Sequence, residues 1–346
     1  MRNSNGKSLT PVKLRAPLAP RFPMCLVGIA ACALSLSFAW ESRAQVAAEG
    51  FAVERLNPAA PGSLWLVMDD LKLDGPLGGG VSLVTGYARH PLRVSAPGSA
   101  GTLSVVSSEA FVDVGLAILY DRFRFTLDVP DPMYLSGQSG SVGNYQFTAP
   151  SGDVGKYPDK VFDFRFGVDS RLWGDVSGPL RLGLSAQLFV PSGERATYVT
   201  DGTYRALLRA QFAGDWGMLS HAGFVGVHVR PRDDSDTLSS ASLGGPRGSE
   251  FVFGLAAAPQ FDLSESGKTH AGLGPELFGE TAFKNAFGKY TTALEALLSA
   301  HLTHVNDHGA VVRLKVGAGS GINAQFGAPS WRVVLGLEIS DRIRKP

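Results

Sequence analysis

Along most of this chain, apolar residues recur at every second position. In "KVFDFRFGVDSR", Lys160 to Arg171, Phe162, Phe164, Phe166 and Val168 alternate with Asp163, Arg165, Asp169 and Arg171. A β-strand sends successive side chains to opposite faces, so as a strand this segment has one apolar and one charged face. A helix would scatter the same residues around its circumference. "EAFVDVGLAILY" sets Val112, Val114, Leu116, Ile118 and Tyr120 against Asp113, Gly115 and Ala117. After Asp121-Arg122, "RFRFTLDV" continues with Phe123, Phe125, Leu127 and Val129 against Arg124, Thr126 and Asp128. Folded as a hairpin, the two segments pair Tyr120 with Phe123 and Leu116 with Leu127, and their apolar faces coincide without a bulge.

The same rule runs through "PLRLGLSAQLFV", "TYRALLRAQF", "VRLKVGAG" and "SWRVVLGLEIS". It is weaker in "GGVSLVTGYA", "HAGFVGVHVR", "EFVFGLAAA", "HAGLGPELFG" and "TALEALLSAHLT". The last also has the composition of an amphipathic helix and is assigned as a strand because its neighbours are strands. This gives about twelve strands, each near the length a tilted strand needs to cross a bilayer. The connections alternate between short (Asp121-Arg122, Trp173 to Gly178, Gly214 to Gly217, Val305 to Gly309) and long or medium (Arg89 to Ser108, Pro130 to Asp159, Pro191 to Gly202, Pro231 to Gly248, Glu280 to Lys289, Gly321 to Pro329), with Gln260 to Gly267 intermediate. Short turns at one end and longer loops at the other are the habit of transmembrane barrels, and an even strand count places both termini in the periplasm.

A soluble β-sandwich also alternates, and an exported sandwich that binds a ligand is the competing architecture. Three features favour the barrel. The polar face mixes single charges with Gly, Ala and Ser, as a crowded lumen does. Trp173 and Trp216 sit at short turns while Tyr204, Phe251, Tyr290 and Trp331 sit at the opposite strand ends, the positions of two interfacial aromatic girdles. Strand length agrees. The expected fold is therefore all-β, a transmembrane antiparallel up-and-down barrel of about twelve strands over residues 78–340, with a short polar tail at 341–346.

Composition narrows the partners. The chain of 346 residues carries a formal net charge of +1, with 18% charged residues and 42 glycines. No Lys/Arg cluster follows the first 45 residues, which argues against a nucleic-acid partner. Arg2, Lys7, Lys13, Arg15 and Arg21 precede the apolar run "MCLVGIAACALSLSFAW" and then "ESRAQ", the pattern of a secretory signal (residues 1–44) cleaved after Ala44. The alternatives are an uncleaved membrane anchor and a lipoprotein signal ending at Cys32. Both cysteines, Cys25 and Cys32, lie in this segment, so the exported chain has no disulfide framework. Residues 45–77 show no alternation and are expected to form a periplasmic strap, an inserted plug or an extra strand.

The stretches "FAVERLNPAAPGSLWLVMDDL" (Phe51 to Leu71), "LFVPSGERATYVTDGTYRALLRAQFAGD" and "FGAPSWRVVLGLEI" resemble the barrel segment of bacterial OmpA-like outer-membrane proteins. The resemblance implies an outer-membrane location, with lipid, lipopolysaccharide and the barrel-assembly machinery as partners. Peptidoglycan binding does not carry over, because the chain ends at Pro346, shortly after the last strand. In many barrels the final strand ends on an aromatic residue; here the end reads "DRIRKP".

On this reading the lumen is lined by Asp163, Arg165, Asp169, Arg171, Arg181, Gln187, Arg205, Arg209, Gln211, Glu276, Arg313, Lys315, Arg332 and Glu338. Such an Arg-rich wall biases a narrow, porin-like channel toward passive diffusion of small polar or anionic solutes. The alternative is a sealed structural or surface-display barrel in which charges pair across strands, for example Arg313 with Glu338; twelve strands lie between the filled and the open barrel sizes. No catalytic activity, cofactor or metal is expected. There is no G-x-S-x-G elbow. His301 and His304 point to opposite faces of a strand, and His308 falls in a turn, which is poor metal-ligand geometry. "RPRDDSD" (Arg230 to Asp236) lacks the Gly and Glu of a calcium loop, and "GPLGGG" before Val81 is followed by no helix that could hold a phosphate.

Overall fold

Each alternating segment forms a strand, and the strands pair in one antiparallel circuit. The computed structural model describes residues 46–95, 101–143, 145–150, 161–233, 248–288, 291–323 and 326–342. Residues 1–44, the expected signal segment with both cysteines, lie outside these residues, as do Tyr290, residues 234–236 of the acidic loop and the last four residues. A two-residue strand β1 (Val46–Ala47) comes first, followed by β2 (Gly78–Val94), β3 (Leu103–Tyr120) and β4 (Phe123–Ser136). Two short strands, β5 (Gly140–Val142) and β6 (Tyr145–Phe147), sit in the next loop. Then come β7 (Phe164–Trp173), β8 (Arg181–Val190), β9 (Arg205–Trp216), β10 (Leu219–Val229) and β11 (Glu250–Asp262). The chain finishes with β12 (Thr269–Ala282), β13 (Thr292–Val305), β14 (Val311–Gly321) and β15 (Trp331–Arg342).

Twelve of these, β2–β4 and β7–β15, form a closed barrel in sequence order, and β1, β6 and β5 form a separate three-stranded sheet. Closure is made by β15 against β2, from Trp331 opposite Arg89 to Arg342 opposite Gly78. The wall therefore has no free sheet edge, which a bilayer interior requires because it cannot hydrate unpaired backbone groups. Asp341 and Arg342 are drawn into this last ladder, where they pair the first glycines of β2. The barrel thus runs to Arg342, two residues beyond the expected boundary at 340.

The outer face is hydrocarbon. Phe166, Leu184, Leu208, Leu255, Leu314 and Leu335 are each about half exposed, while their inward neighbours Arg165, Arg209 and Lys315 are almost wholly covered. Segment 292–305, helical by composition, is a strand with this same alternation: its odd-numbered residues from Ala293 to Thr303 face inward, and Leu298 and Leu302 face out. The Tyr120–Phe123 hairpin has the expected register, Leu116 opposite Leu127, and its only shift lies further along, at Ala110/Phe111 near Pro132. Asp121 takes a positive φ of 50°, which fits a two-residue hairpin turn. One expectation fails at the start of β7. Phe162 precedes the strand, is buried and belongs to the interior cluster, so only Phe164, Phe166 and Val168 follow the outward alternation.

Two places in the wall are thinly paired. On β11 and β12 the ladder is interrupted between Ala256–Glu276 and Gln260–Gly272, where Pro259 and Pro275 have no N–H to give. On β4 pairing with β7 covers only Phe123 to Asp128, and Pro130 and Pro132 follow.

Connections 121–122, 174–180, 217–218, 263–268 and 306–310 lie at one end of the barrel, with the start of β2 and the end of β15. Connections 95–102, 137–163, 191–204, 230–249, 283–291 and 322–330 lie at the other and are longer. By the usual rule the short-turn end is periplasmic. The segment before β2 makes contacts at the long-loop end as well as along the inner wall. Val46 and Ala47 pair in parallel with Tyr145 and Gln146 in a long loop, and Arg195, in the loop between β8 and β9, donates to the Gly50 carbonyl. From there the chain passes to Gly78 at the short-turn end. The same segment touches walls on opposite sides of the barrel: Gly62 N–H donates to Glu338 on β15, Asp69 pairs with Arg124 on β4, and Arg55 pairs with Glu250 on β11. A segment outside the wall cannot reach all three. Residues 51–73 therefore run through the lumen as a plug, and Val46 is carried to the long-loop end, opposite to the expected periplasmic position.

This path has a direct check. In whole cells, a membrane-impermeant maleimide is expected to label Ala47→Cys and to leave Ser266→Cys, in the β11–β12 turn, unlabelled until the envelope is broken. Equal protection of both positions would place the plug's entrance on the periplasmic side.

Candidate functional site

The plug has no regular secondary structure between Phe51 and Asp74, apart from a turn near Gly62. Its backbone donors and acceptors are nevertheless buried, and each such group must find a partner. The wall's charged side chains provide them. Arg313 donates to the Ser63 carbonyl at 2.7 Å, Lys315 to Trp65 at 2.9 Å, Arg181 to Asp70 at 2.9 Å and Arg171 to Leu73 at 2.9 Å. Carboxylates serve the amides. Glu276 accepts from Leu66 at 3.0 Å, Val67 at 2.8 Å and Met68 at 3.4 Å, and Glu338 accepts from Gly62 at 2.8 Å.

Plug side chains add ion pairs. Asp69 sits between Arg124 and Arg209 and accepts from Gln211 at 3.0 Å. Glu54 receives both terminal nitrogens of Arg332, at 2.7 and 2.9 Å, while the Arg332 Nε holds Glu295 at 2.8 Å. Arg55 reaches Glu250 at 2.6 Å and also Glu280, and Asn57 accepts from Arg165 at 3.0 Å. Space for the plug is left by glycines on the inner wall. A Cβ at Gly254 would stand 2.6 Å from the Met68 methyl, and one at Gly317 would stand 2.4 Å from Leu66.

All fourteen residues expected to line the lumen are buried. They divide by partner. Arg165, Arg171, Arg181, Arg209, Gln211, Glu276, Arg313, Lys315, Arg332 and Glu338 touch the plug as described. Asp169 holds Arg124 at 2.7 Å, and Arg205 pairs with Asp163 at 2.8 Å, so these three act within the wall. Gln187 lies close to Gly167, and its side-chain oxygen has no hydrogen-bond partner. The cross-strand pair Arg313–Glu338 forms at 2.9 Å.

Sequence reading did not single out Arg124, Glu109, Glu250, Glu280, Glu295, His228 or the plug's own Glu54, Arg55 and Asp69. For Arg124 the signal was its inward phase opposite Phe123 and Phe125. The plug residues carried no periodic signal. His301 is buried with Nε2 2.8 Å from Gln260, while His304 is exposed beside Thr269, so the two face apart as expected.

The inner wall is electrically lopsided. Arg124, Arg165, Arg171, Arg181, Arg205 and Arg209 project from β4 and β7–β9, whereas β11–β13 carry no lysine or arginine and present Glu250, Glu276, Glu280 and Glu295. Two cavities remain beside Asn57. One lies against Val67, Leu207, Phe224 and Phe278, the other against Phe111, Asp113, Phe162 and Arg165. Each has room for only a few water molecules. Arg209, Glu295, Asp113 and Arg205 belong to their linings, and Arg209 Nε, Glu295 Oε2, Asp113 Oδ1 and Arg205 Nε have no hydrogen-bond partner among the described residues.

At the long-loop end, Asp201 fixes the plug's entry. It accepts the Ala52 amide at 2.9 Å and pairs with Arg230, which donates to the Ala52 carbonyl at 3.0 Å. Burial alone would raise the Asp201 carboxyl, but Arg230 and Arg205 reverse this and hold it far below the usual carboxylate range. Neighbouring Tyr198 is pushed up to about 12 by burial.

The aromatic positions lie toward the two ends of the barrel. Trp173 and Trp216 end β7 and β9 at the short turns and are exposed; Tyr204 and Trp331 are exposed at the other end, and Phe251 is half-buried against Phe253.

Two outcomes are expected from this geometry. Replacing Glu276 by Ala strands three buried amides and should cost on the order of 3 kcal/mol, with Gln, which keeps one acceptor, costing roughly half; the unfolding midpoint of the detergent-solubilised barrel measures both. Asp201→Asn should destabilise at neutral pH. Because the folded pKa of Asp201 is depressed, its contribution is present above the unfolded value of about 3.9 and is lost as pH falls further. The gap between wild type and variant should therefore close only below about pH 4.

No protein-family model matches this chain, and no curated protein matches it. Among solved structures it is similar to the COG4313 outer membrane channel from Pseudomonas putida F1, with a TM-score of 0.50 at 14% identity over 82% of this chain and 99% of that one. It also aligns with the NanC porin, with a TM-score of 0.42 at 8% identity over 76% of this chain and 100% of that one. At these identities the likeness is one of fold, and it does not extend to the OmpA-like family. The chain shares with the first of these structures the closed barrel of an outer-membrane protein.

Proposed function

We propose that this protein is an outer-membrane channel held shut by its own N-terminal segment, and that the open form passes small polar or anionic solutes. The observation that carries the reading is the row of arginines on β4 and β7–β9 facing a plug held there by non-covalent contacts alone. The plug joins the wall covalently at Gly78, so its long-loop end can leave once its ion pairs, the β1–β6 pairing and the hydrogen bonds at Gly50 and Ala52 exchange. Displacement would uncover Arg124, Arg165, Arg171, Arg181 and Arg209 together, a surface suited to anions. Outer-membrane lipid on the hydrocarbon belt, lipopolysaccharide at the long-loop end and the barrel-assembly machinery complete the partners of this reading.

A second reading, a sealed envelope barrel, is favoured by the near-complete burial of residues 51–73 and by the Arg313–Glu338 pair. Single-channel recording separates the two. Wild-type protein is expected to give brief, small steps, and a variant lacking residues 51–73 steady steps larger on the order of tenfold. In the deleted form, Arg165→Glu with Arg209→Glu should turn ion preference from anions toward cations. A deleted barrel that is folded, by its heat-dependent gel mobility, yet silent would establish the sealed reading.

A further inference from the structure

Where the plug enters the lumen, three wall side chains converge. One ring nitrogen of His228 on β10 and one carboxylate oxygen each of Glu250 on β11 and Glu280 on β12 lie within 4.8 Å of one another, and all three residues are buried. The point between the carboxylates is taken by a cation that does not belong to the wall. The Arg55 Nη1 of the plug donates to Glu250 at 2.6 Å and to Glu280 as well, and His228 Nδ1 stands 3.3 Å from the same Glu280 oxygen.

The charge surrounding this point depends on Arg55. Asp163, Asp201, Glu250 and Glu280 form one connected network with Arg55, Arg205 and Arg230. Four carboxylates thus face three guanidiniums while the plug is seated, and only two once Arg55 has left. Arg230 cannot make up the difference, since its Nε and Nη2 are committed to Asp201 and Ala52, and its Nη1 stands 3.7 Å from Glu250. Buried carboxylates stripped of their partner are costly, and the site then favours uptake of a proton, with His228 beside both carboxylates, or of another cation.

We propose that His228, Glu250 and Glu280 form a divalent-metal site that is alternately occupied by Arg55 and by a metal ion, so that metal binding and plug seating exclude each other. One imidazole and two carboxylates suit a borderline ion such as Zn²⁺ better than Mg²⁺, which takes oxygen ligands and keeps its waters. The ligands are held by three adjacent strands of a closed wall, which fixes their directions. A Zn²⁺ with bonds of about 2.0–2.2 Å needs ligand atoms about 3.3 Å apart; His228 Nδ1 and Glu280 already stand at 3.3 Å, and Glu250, 3.7 Å from His228 Nδ1, would have to move in. That contraction lies within side-chain rotation, and open positions toward the lumen are left for water. The residue that decides occupancy is thus on the plug and the residues that bind are on the wall, which makes the metal a competitor for the latch. This builds on the plug-gated reading, but metal binding is measured without any conductance.

The test is isothermal titration of the detergent-solubilised mature protein, residues 45–346, with Zn²⁺ and separately with Mg²⁺. Arg55→Ala is expected to bind one Zn²⁺ at least about tenfold more tightly than wild type. The double variant Arg55→Ala/His228→Ala should lose that gain, and Mg²⁺ should show no difference among the three. Arg55→Lys, whose single ammonium cannot bridge both carboxylates as a guanidinium does, should bind with intermediate affinity and covers the case in which Arg55→Ala fails to fold. Zinc affinity that is equal in wild type, Arg55→Lys and folded Arg55→Ala would overturn the site, as would a gain in Arg55→Ala that survives removal of His228. A silent channel with the expected zinc series would leave the site standing and remove only the gating role.

Discussion

The structure turns on one requirement, that an irregular chain inside a closed barrel must have every buried backbone group satisfied. The barrel wall meets this for itself by ladder pairing, and its closure leaves nothing to spare. The plug has no ladder; a few of its groups bond to backbone, as Val53 does to Tyr198 and Ala59 to Leu66, and many others fall to side chains. The wall's guanidiniums and the Lys315 ammonium meet carbonyls, and carboxylates meet amides. A lumen that reads as a charged pore lining is therefore also the hydrogen-bond complement of the particular chain that fills it. Glu276 makes the point most plainly: it is wholly buried, and three consecutive amides of the plug converge on it.

The same arrangement sets the electrostatics. Taking a guanidinium out of water is affordable only with good partners around it, and the plug brings those partners with it. Asp69 goes to the arginines of β4 and β9, Glu54 to Arg332, and Arg55 to the carboxylates of β11 and β12. The plug is thus polarised across the barrel in the opposite sense to the wall. Its removal would leave a basic side and an acidic side facing each other across water. On the proposed function, neutralisation with the plug seated and selectivity with it displaced would be two consequences of one charge pattern.

Much of this was legible in the sequence because the side-chain period of a strand is two. Phe164, Phe166, Asp169 and Arg171 reveal their faces by position alone, and Leu116 opposite Leu127 reveals a register. The rule fails where strands end. Phe162 has the right phase but lies before β7 begins, and there it turns inward. It fails altogether for residues 51–73, since a chain without repeating structure has no period, and Glu54, Arg55 and Asp69 gain their meaning only from wall residues 55 to 278 positions away. The path of the plug could not be read either. An even number of strands places the ends of β2 and β15 together, but it says nothing of a segment that doubles back through the lumen before β2 starts.

That doubling back gives the two halves of the plug unequal holds. Toward Gly78 it is fixed by the Glu276 amide cluster, by carbonyl contacts with Arg171, Arg181 and Lys315, and by side chains seated against Gly254 and Gly317. Toward Val46 it is fixed by charge pairs on single side chains, Arg55, Glu54 and Glu49, and by the Asp201 clasp at Ala52. The inner half interlocks with the wall along its backbone, so it can move only by breaking many contacts at once. The outer half is held by its charge pairs, which solvent ions can replace one at a time, together with the β1–β6 pairing and the apolar packing of Phe51 and Val53. Water-sized cavities flank Asn57, between the two halves. Opening that begins at the outer end and stops there would enlarge these cavities without unseating Leu66 to Met68, and the aperture would then be set by how far the segment before Asn57 withdraws.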